Sequence, residues 1–199
     1  MVVVDGHCDT ATAIMVHSED LYANKRNVDI QRMRKFGGYI QFFAIFVDTV
    51  YMPGNALRRT LQVLDYFYLQ VQKYKKHINI VHTYTDIKTA LERGRVGGLI
   101  SIEGGESLCG DIGILRMFHK LGVRSICLTW NRRNELGDGV GEAQAGGLSN
   151  FGKQAVEEMN RLGMLVDVSH LSERGFWDVM AFSQRPVIVS HSNARAICG

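Results

Sequence analysis

Three apolar segments of the sequence lead directly into residues that can bind a metal ion. The first, residues 2–4, runs into Asp-Gly-His-Cys-Asp at residues 5–9, and two later segments end in Ser-His pairs at His170 and His191. Short β-branched runs are typical of buried strands. Imidazole is the commonest metal ligand, and the C-terminal ends of barrel strands meet at one face. We therefore predict that these three strand ends share a metal site.

The pentapeptide adds a carboxylate to this site. Side chains of a strand alternate between its two sides, so His7 and Asp9 point the same way and Cys8 points the other way. A thiolate at Cys8 would bind zinc well. Because the alternation directs Cys8 toward the helical layer, we expect a structural role for it.

Glu103 is the last residue of a further apolar run and is followed by two glycines. A carboxylate has two oxygens and can bridge two cations. We predict that one ion is bound by His7, Asp9 and Glu103. A second ion would be bound by Glu103, His170 and His191. Nitrogen and carboxylate ligands suit zinc best, with manganese or cobalt as substitutes.

Other residues of the same types are expected to be structural. The remaining histidines are interpreted as ordinary surface or core residues, since most histidines bind no metal: His17, His77, His82 and His119. Glu106 and Asp111 are expected to be charges at the start of the next helix, where the helix dipole favours acidic side chains. None of these six is assigned to the metal site.

Predicted strands alternate with predicted helices along the whole chain. Six strands are expected, beginning at residues 2, 39, 96, 125, 165 and 186. Alternation with short connections predicts a parallel sheet, and candidate ligands at strand ends are typical of a (β/α)₈ TIM-type barrel. A Rossmann-type sheet is disfavoured because the glycine-rich fingerprint is missing after the first strand.

The helices are predicted from apolar spacing and from capping residues. One long helix carries an apolar stripe at helical spacing, formed by Leu57, Leu61, Leu64, Tyr68 and Val71. Shorter helices are expected near residues 85–93 and around Ile114, Phe118 and Leu121. Ser149 or Asn150 is predicted to cap a helix that Gly163 ends, and Ser172 to cap the next. The stretch up to about residue 35 is predicted to be irregular.

Composition limits the class of protein. The chain has 199 residues, 46% of them apolar, and a net charge of +3, which fits one domain over residues 1–199 and does not favour nucleic-acid binding. No run of about 18 apolar residues exists to span a membrane. Because the first residues already read as a strand, we expect no secretory signal in this sequence. The four cysteines, Cys8, Cys109, Cys127 and Cys198, show no CxxC spacing, so we expect free thiols and a cytoplasmic protein.

The sequence resembles the membrane (renal) dipeptidase family and its bacterial members. Residues 102–124 follow the family signature, with Ile-Glu-Gly-Gly at its start, Leu108 and Leu115 within it, and Gly-Val-Arg at its end. Further matches lie at residues 5–9, 128–131, 147–152, 167–170 and 190–192. One departure is His119, which stands where the pattern has tyrosine.

The resemblance implies a dipeptidase that hydrolyses peptide bonds with a water held between two zinc ions. It implies His7 and Asp9 on one ion, His170 and His191 on the other, and Glu103 bridging, in agreement with the assignment from strand ends. Many family members use a histidine to stabilise the oxyanion, and Trp130 stands at that position here. Asn131 or Asn134 are further candidates for this role.

Other readings remain open from the sequence alone. Because barrels of this type need around 250 residues, we expect these residues to be the N-terminal part of a longer barrel. The resemblance implies that an arginine that binds the substrate carboxylate and an aspartate that transfers a proton follow residue 199. The alternatives to a dipeptidase are another two-metal hydrolase, acting on cyclic amides, lactones or phosphoesters, and an inactive metal-binding fragment. The sequence leaves open whether the protein forms a homodimer.

Overall fold

The computed structural model describes residues 1–194 and 196–197, so Cys198 lies outside the described residues. Its strands are β1 (Val2–Cys8), β2 (Gly38–Phe46), β3 (Ile78–Ile80), β4 (Val96–Glu103), β5 (Val123–Cys127), β6 (Leu165–Asp167) and β7 (Val187–Ile188). Its α-helices are α1 (Thr10–Val16), α2 (Ile30–Met33), α3 (Ala56–Lys73), α4 (Tyr84–Glu92), α5 (Ile112–Lys120), α6 (Asn150–Leu162) and α7 (Glu173–Phe182).

Every strand pair in the sheet is parallel. The order along the sheet is β1-β2-β4-β5-β6-β7, and β3 pairs with the first residues of β4, with Ile78 opposite Val96. Helices connect the strands, as a parallel sheet requires. The six predicted strands and the TIM-type architecture are confirmed, the sheet forming a partial barrel. The short strand β3 was not predicted.

The stretch between β1 and β2 is more ordered than predicted. It contains α1 and α2, and the side chains of Ala11, Ile14 and Ile30 are fully buried. The Asp29 carboxylate caps α2 by accepting a hydrogen bond of 2.7 Å from the backbone N–H of Arg32. Both helices are shorter than two full turns of apolar pattern, so their stability comes from this burial and capping.

Helix α3 turns most of its predicted stripe toward the core. Leu64 and Val71 are buried, Leu57 and Tyr68 pack against the core, and Leu61 is the exception. Leu61 is 41% exposed. The buried residues are Ala56, Thr60, Val63, Leu64, Phe67 and Val71. The Phe67 ring packs on Phe43 of β2, with ring centroids 4.7 Å apart. This aromatic contact turns the helix so that Leu61 points away from the sheet.

The predicted capping residues of the later helices are confirmed. The Ser149 hydroxyl caps α6 by accepting from Gly152 N–H at 2.9 Å, and Ser172 caps α7 by accepting from Gly175 N–H at 3.1 Å. Gly163 ends α6 with φ +70°, a left-handed conformation that favours glycine. Asp111 caps α5, as its expected place at a helix start requires.

The last three strands are shorter than predicted. Strands β5, β6 and β7 end at Cys127, Asp167 and Ile188. The predicted site residues Trp130, His170 and His191 therefore lie in the loops that follow, each three residues beyond its strand. Within the described part of the chain, no helix is both long enough and apolar enough to cross a membrane.

The loop between β5 and α6 is held by a buried carboxylate. Asp138 is 4% exposed and accepts hydrogen bonds from the Arg133 guanidinium, at 3.0 Å from Nη2, and from Gly146 N–H. The Arg133 hydrogen bonds hold the pKa of Asp138 below its usual value of 3.8. The ionised carboxylate therefore stabilises the fold above pH 3.8, and this stabilisation is lost as the pH falls from 3.8 through the lower folded pKa.

We expect Asp138→Asn to lower the free energy of unfolding by about 2 kcal/mol at pH 7, because hydrogen bonds to a charged group are lost. The difference from the unsubstituted protein should shrink as the pH falls below the usual Asp pKa. Urea unfolding between pH 3 and 7 measures it. The exposed Asp65 of α3 provides the control, since Asp65→Asn should have little effect at any pH. A pH-independent difference would contradict the prediction.

Candidate metal centre

The Glu103 carboxylate lies at the end of β4 and is 6% exposed. Every ion pair recorded for it among the described residues is with a histidine. Its Oε2 lies 3.6 Å from Nε2 of His7, whereas its Oε1 lies 3.0 Å from Nε2 of His170 and 3.6 Å from Nε2 of His191. The two oxygens of one buried carboxylate thus face different histidines.

The Oε2 side of this carboxylate carries His7 and Asp9. Nε2 of His7 lies 3.6 Å from Oδ1 of Asp9, whose side chain is 62% exposed. The pairing of β1 with β2 shifts between Asp5 and Cys8, so the chain leaves regular strand geometry at His7. Asp9 itself stands just before α1. The two side chains point to the same place, as the alternation predicted.

The Oε1 side carries His170 and His191, whose Nε2 atoms lie 2.8 Å apart. The other ring nitrogen of each histidine is also hydrogen bonded. Nδ1 of His170 lies 2.9 Å from Asn131 Oδ1, and Nδ1 of His191 lies 2.9 Å from Ser190 Oγ. His170 has φ +61°, an uncommon left-handed conformation for a residue with a side chain. Strained backbone conformations of this kind cluster at active sites and ligand-binding sites, where the surrounding structure maintains them.

Gly6 allows the two sides of the site to approach each other. The rings of His7 and His191 have centroids 4.0 Å apart. A Cβ at Gly6 would stand 2.7 Å from the backbone oxygen of Ser190, which real Cβ atoms do not tolerate. Since the obstacle is backbone, a side chain here would push β1 away from the loop after β7. Glycine at this position is therefore required by the site.

The charges at the site shift the pKa values of its groups in different directions. Burial lowers the pKa of His7, but the hydrogen bond with Asp9 and the charge of Glu103 outweigh it, so the net pKa is raised. The hydrogen bond with His7 lowers the pKa of Asp9. Burial, together with the charge of His7, lowers the pKa of His191. The carboxylates thus favour a positive charge on His7, whereas burial and the charge of His7 disfavour one on His191.

The donor set fits metal ions. Ligand atoms of His7, Glu103 and His191 all lie within 4.8 Å of one another. Two nitrogen atoms 2.8 Å apart and turned toward the same carboxylate oxygen need either a shared proton or a shared cation between them. Three imidazoles and two carboxylates are the ligands that zinc prefers. The structure therefore brings together all five residues that the sequence assigned to metal, and the residues present fit the ions.

Trp130 lies beside the His170 side of the centre and is half-buried. Its ring centroid is 6.2 Å from that of His170 and 5.2 Å from that of Phe46. It also lines a cavity of about 510 Å³ together with Met52 and Glu106. Glu106 lies in a short 3₁₀ segment, Gly105–Leu108, ahead of helix α5, where burial raises its pKa. Trp130 thus borders both the His170 side of the centre and a cavity large enough for a side chain.

The two asparagines after Trp130 have different surroundings. Asn131 contacts His170 directly, as described above. The side chain of Asn134 instead donates to the backbone oxygen of Leu128 at 2.9 Å and accepts from Leu136 N–H at 2.9 Å. The structure thus gives Asn134 a role in holding the loop.

The residues expected to be structural lie apart from the centre. Cys8 is 8% exposed and packs in the hydrophobic core, and burial raises the pKa of its thiol to about 12. Without a metal ion the thiol is therefore protonated at neutral pH. None of the other histidines is recorded in contact with Glu103 within the described ranges: His17, His77, His82 and His119.

A serine precedes two of the candidate ligands, and the Ser-His pairs alone indicate no role for these serines. Ser169 stands before His170 and Ser190 stands before His191. Both serine side chains hydrogen bond to the buried carboxylate of Asp167. The repeated Ser-His pair, together with an aspartate at the end of β6, could have been read as a supporting network.

Comparison with known families decides the relationship. The model of the family described as membrane dipeptidase, peptidase family M19, matches residues 1–199. The chain belongs to the membrane dipeptidase family. This confirms the resemblance that the motifs indicated.

Solved structures of M19 and related proteins share the fold. The chain is similar to a metallopeptidase from Rhodobacter sphaeroides, solved with a phosphinate mimic of the dipeptide L-Ala-D-Ala, with 27% identity, a TM-score of 0.88 and coverage of 99% of this chain and 66% of that one. It is similar to dipeptidase AC, a metallopeptidase of family M19, with 29% identity, a TM-score of 0.88 and coverage of 99% and 64%. An amidohydrolase from Pseudomonas aeruginosa matches with 27% identity, a TM-score of 0.76 and coverage of 96% and 52%.

The chain therefore spans between 52% and 66% of the length of these structures. The described residues contain the five candidate ligands and the strands that precede them.

Proposed function

We propose that this M19 family member is a zinc dipeptidase that hydrolyses the peptide bond of dipeptides. The observation that carries the proposal is the geometry of Glu103. Its two oxygens face two separate ligand groups, His7 on one side and His170 with His191 on the other. A buried carboxylate in this position is suited to bridge two cations, and its burial strengthens its attraction for them.

Five residues would hold the two ions. His7, Asp9 and Oε2 of Glu103 would hold one ion, and Oε1 of Glu103 would hold the other together with His170 and His191. Three protein ligands for each ion leave a position for water, as catalytic zinc sites require. Zinc bound here would lower the pKa of that water toward neutrality and polarise the carbonyl of the scissile bond.

The side chains of the protein position this chemistry. The carboxylates of Asp9 and Glu103 supply the negative charge that keeps cations at the site. The indole N–H of Trp130 can donate one hydrogen bond to the oxyanion that forms at the scissile carbonyl. Unlike a histidine, an indole does not titrate near neutral pH. We expect this difference to alter the preference among dipeptides.

A second candidate function is suggested by one similar solved structure, the amidohydrolase from Pseudomonas aeruginosa. A two-metal centre of the same geometry could hydrolyse a cyclic amide, a lactone or a phosphoester, since barrels support many reactions. The substrates of the two functions differ in a free amino group and a free carboxylate, which only a dipeptide carries together. A substrate panel therefore separates them.

The test uses the full-length protein purified, stripped of metal and reloaded with zinc. We expect hydrolysis of dipeptides that a chelator abolishes and zinc restores. Cyclic amides, lactones and phosphoesters should be hydrolysed far more slowly under the same conditions. Zinc-dependent hydrolysis of one of these without dipeptide hydrolysis would replace the proposal by the second function. Bound zinc without any hydrolysis would favour an inactive metal-binding protein.

Trp130 provides a prediction on specificity. We expect Trp130→His to keep both zinc ions, because the indole is not a ligand, and to change the relative kcat/KM values across a dipeptide panel. The indole borders the cavity that Met52 and Glu106 line, so its replacement alters the space beside the centre. Phe36→His, a change at an exposed aromatic residue ahead of β2, serves as the control. An unchanged profile in Trp130→His would show that the side chain does not contact substrate.

A further inference from the structure

Asp167 is a buried carboxylate that lies behind the candidate metal centre at the end of β6. It is 1% exposed. Oδ1 accepts hydrogen bonds from Ser169 N–H at 3.0 Å, Ser169 Oγ at 2.8 Å and Ser190 N–H at 3.2 Å. Oδ2 accepts a short hydrogen bond from Ser190 Oγ. The carboxylate therefore ties together the loops that follow β6 and β7.

The direction of the hydrogen bonds follows from this carboxylate. A carboxylate accepts hydrogen bonds and has no proton to donate, and a serine hydroxyl has one proton. Because the Ser190 proton is directed to Asp167, its oxygen is left to accept. The neighbouring atom, 2.9 Å away, is Nδ1 of His191. Nδ1 must therefore carry the ring proton, which leaves the lone pair on Nε2.

That lone pair points into the candidate centre. Nε2 of His191 lies 3.6 Å from Oε1 of Glu103 and 2.8 Å from Nε2 of His170. A metal ion binds the unprotonated nitrogen of a neutral imidazole. The contact of His170 with Asn131 is less restrictive, since an amide can present either its oxygen or its nitrogen. Among the described contacts, the hydrogen bonds that connect Asp167, Ser190 and His191 select one tautomer of His191.

The geometry points to Asp167 and Ser190 as positioning residues that hold His191 in the Nδ1-protonated tautomer, with Nε2 free to bind the second metal ion. The inference rests on the proposed two-metal function and deepens it. The same carboxylate also links the two histidine loops, because it accepts hydrogen bonds from the hydroxyls of both Ser169 and Ser190. Ser169 Oγ in turn accepts from the backbone N–H of His191 at 3.3 Å. Groups behind a metal ligand typically change metal affinity about 10- to 100-fold.

The experiment compares Ser190→Ala with Ser192→Ala in the full-length protein. Ser192 is exposed, and among the described residues its hydroxyl donates to the backbone oxygen of Asn193, which makes it a control on the same loop. Zinc affinity is measured by competition with a chromophoric chelator. We expect Ser190→Ala to lower the affinity for one of the two zinc ions about 10- to 100-fold. Ser192→Ala should bind both ions as the unsubstituted protein does.

A spectroscopic measurement distinguishes positioning from a general loss of structure. Nitrogen chemical shifts of the His191 ring, measured by NMR in the metal-free protein, report which nitrogen is protonated. We expect Nδ1 protonation in the unsubstituted protein and a mixture of tautomers in Ser190→Ala. Ser190→Thr, which keeps the hydroxyl, should restore both the tautomer and the zinc affinity. It also provides a folded variant if Ser190→Ala does not fold.

The outcomes separate this inference from the proposed function. If the unsubstituted protein binds two zinc ions, and Ser190→Ala binds them equally well with the same His191 tautomer, the positioning role is wrong and the metal site stands. Loss of affinity in Ser190→Thr, with the fold retained, would also overturn the positioning role. If the unsubstituted protein binds no zinc at His170 and His191, the proposed function fails.

Discussion

Replacing Glu103 with alanine is expected to reduce bound zinc from two ions per chain to one or none and to slow dipeptide hydrolysis by roughly 10³-fold. Each oxygen of this carboxylate faces a different ligand group, so its removal takes one ligand from each ion. It also removes the buried negative charge that offsets the repulsion between two cations. A loss of about 4 kcal/mol of transition-state stabilisation corresponds to roughly 10³-fold in rate.

Elemental analysis of the purified full-length protein measures the zinc content, and a dipeptide assay measures the rate. Glu106→Ala is a matched control, because Glu106 is a half-buried carboxylate three residues further along the chain that is not among the candidate ligands. It should keep both ions. One zinc ion per chain in the unsubstituted protein would contradict the bridging role of Glu103.

Replacing His170 with alanine is expected to remove one zinc ion and leave the other. His170 and His191 face Oε1 of Glu103, whereas His7 faces Oε2, so loss of His170 leaves the His7 group intact. The remaining ion cannot bind a water jointly with a partner ion. We therefore expect a fall of roughly 10³-fold or more in kcat, on the same scale as above.

The complementary variant is His7→Ala, which should lose the other ion and keep the one at His170 and His191. His82→Ala is the control, since His82 is exposed and is not recorded at the centre. It should retain both ions and full activity. Loss of both ions in His170→Ala would show that the two ligand groups do not bind independently, and would contradict the division of the site.

Parts of the fold were predictable because their signals are local. Strand β4 has the predicted bounds, since its apolar run begins at Val96 and ends at Glu103 before two glycines. Helix α6 begins after Ser149 and ends at Gly163. Ser149 caps the helix with its hydroxyl, and Gly163 ends it with a left-handed backbone conformation. Where the pattern lies in a few adjacent residues, the sequence suffices.

Other parts depend on distant contacts and were predicted wrongly or not at all. Helices α1 and α2 are too short to show a periodic pattern and are stabilised by burial against the rest of the chain. The exposure of Leu61 on α3 follows from the packing of Phe67 on Phe43. The three-residue strand β3 exists because it pairs with β4. None of these contacts is visible in the local sequence.

His82 illustrates the limit for the site. It follows the apolar strand β3 in the chain, much as the candidate ligands follow theirs. The last residue of β3, Ile80, pairs with Gly98 of β4, five residues before Glu103. The end of β3 therefore lies at a lower level of the sheet than the centre. The register of two strands decides that His82 is not a candidate ligand.

The sequence by itself determined the alternation of strands and helices, the membership of the family and the types of residue at the strand ends. Local propensities and side-chain chemistry suffice for the alternation and for the residue types, because these are properties of short segments, whereas family membership rests on a match over residues 1–199. Only the tertiary structure decided which oxygen of Glu103 faces which histidine, and that Asp167 and Ser190 direct the proton on His191. These depend on strand register, on loop conformation and on atoms far apart in the chain meeting within hydrogen-bond distance.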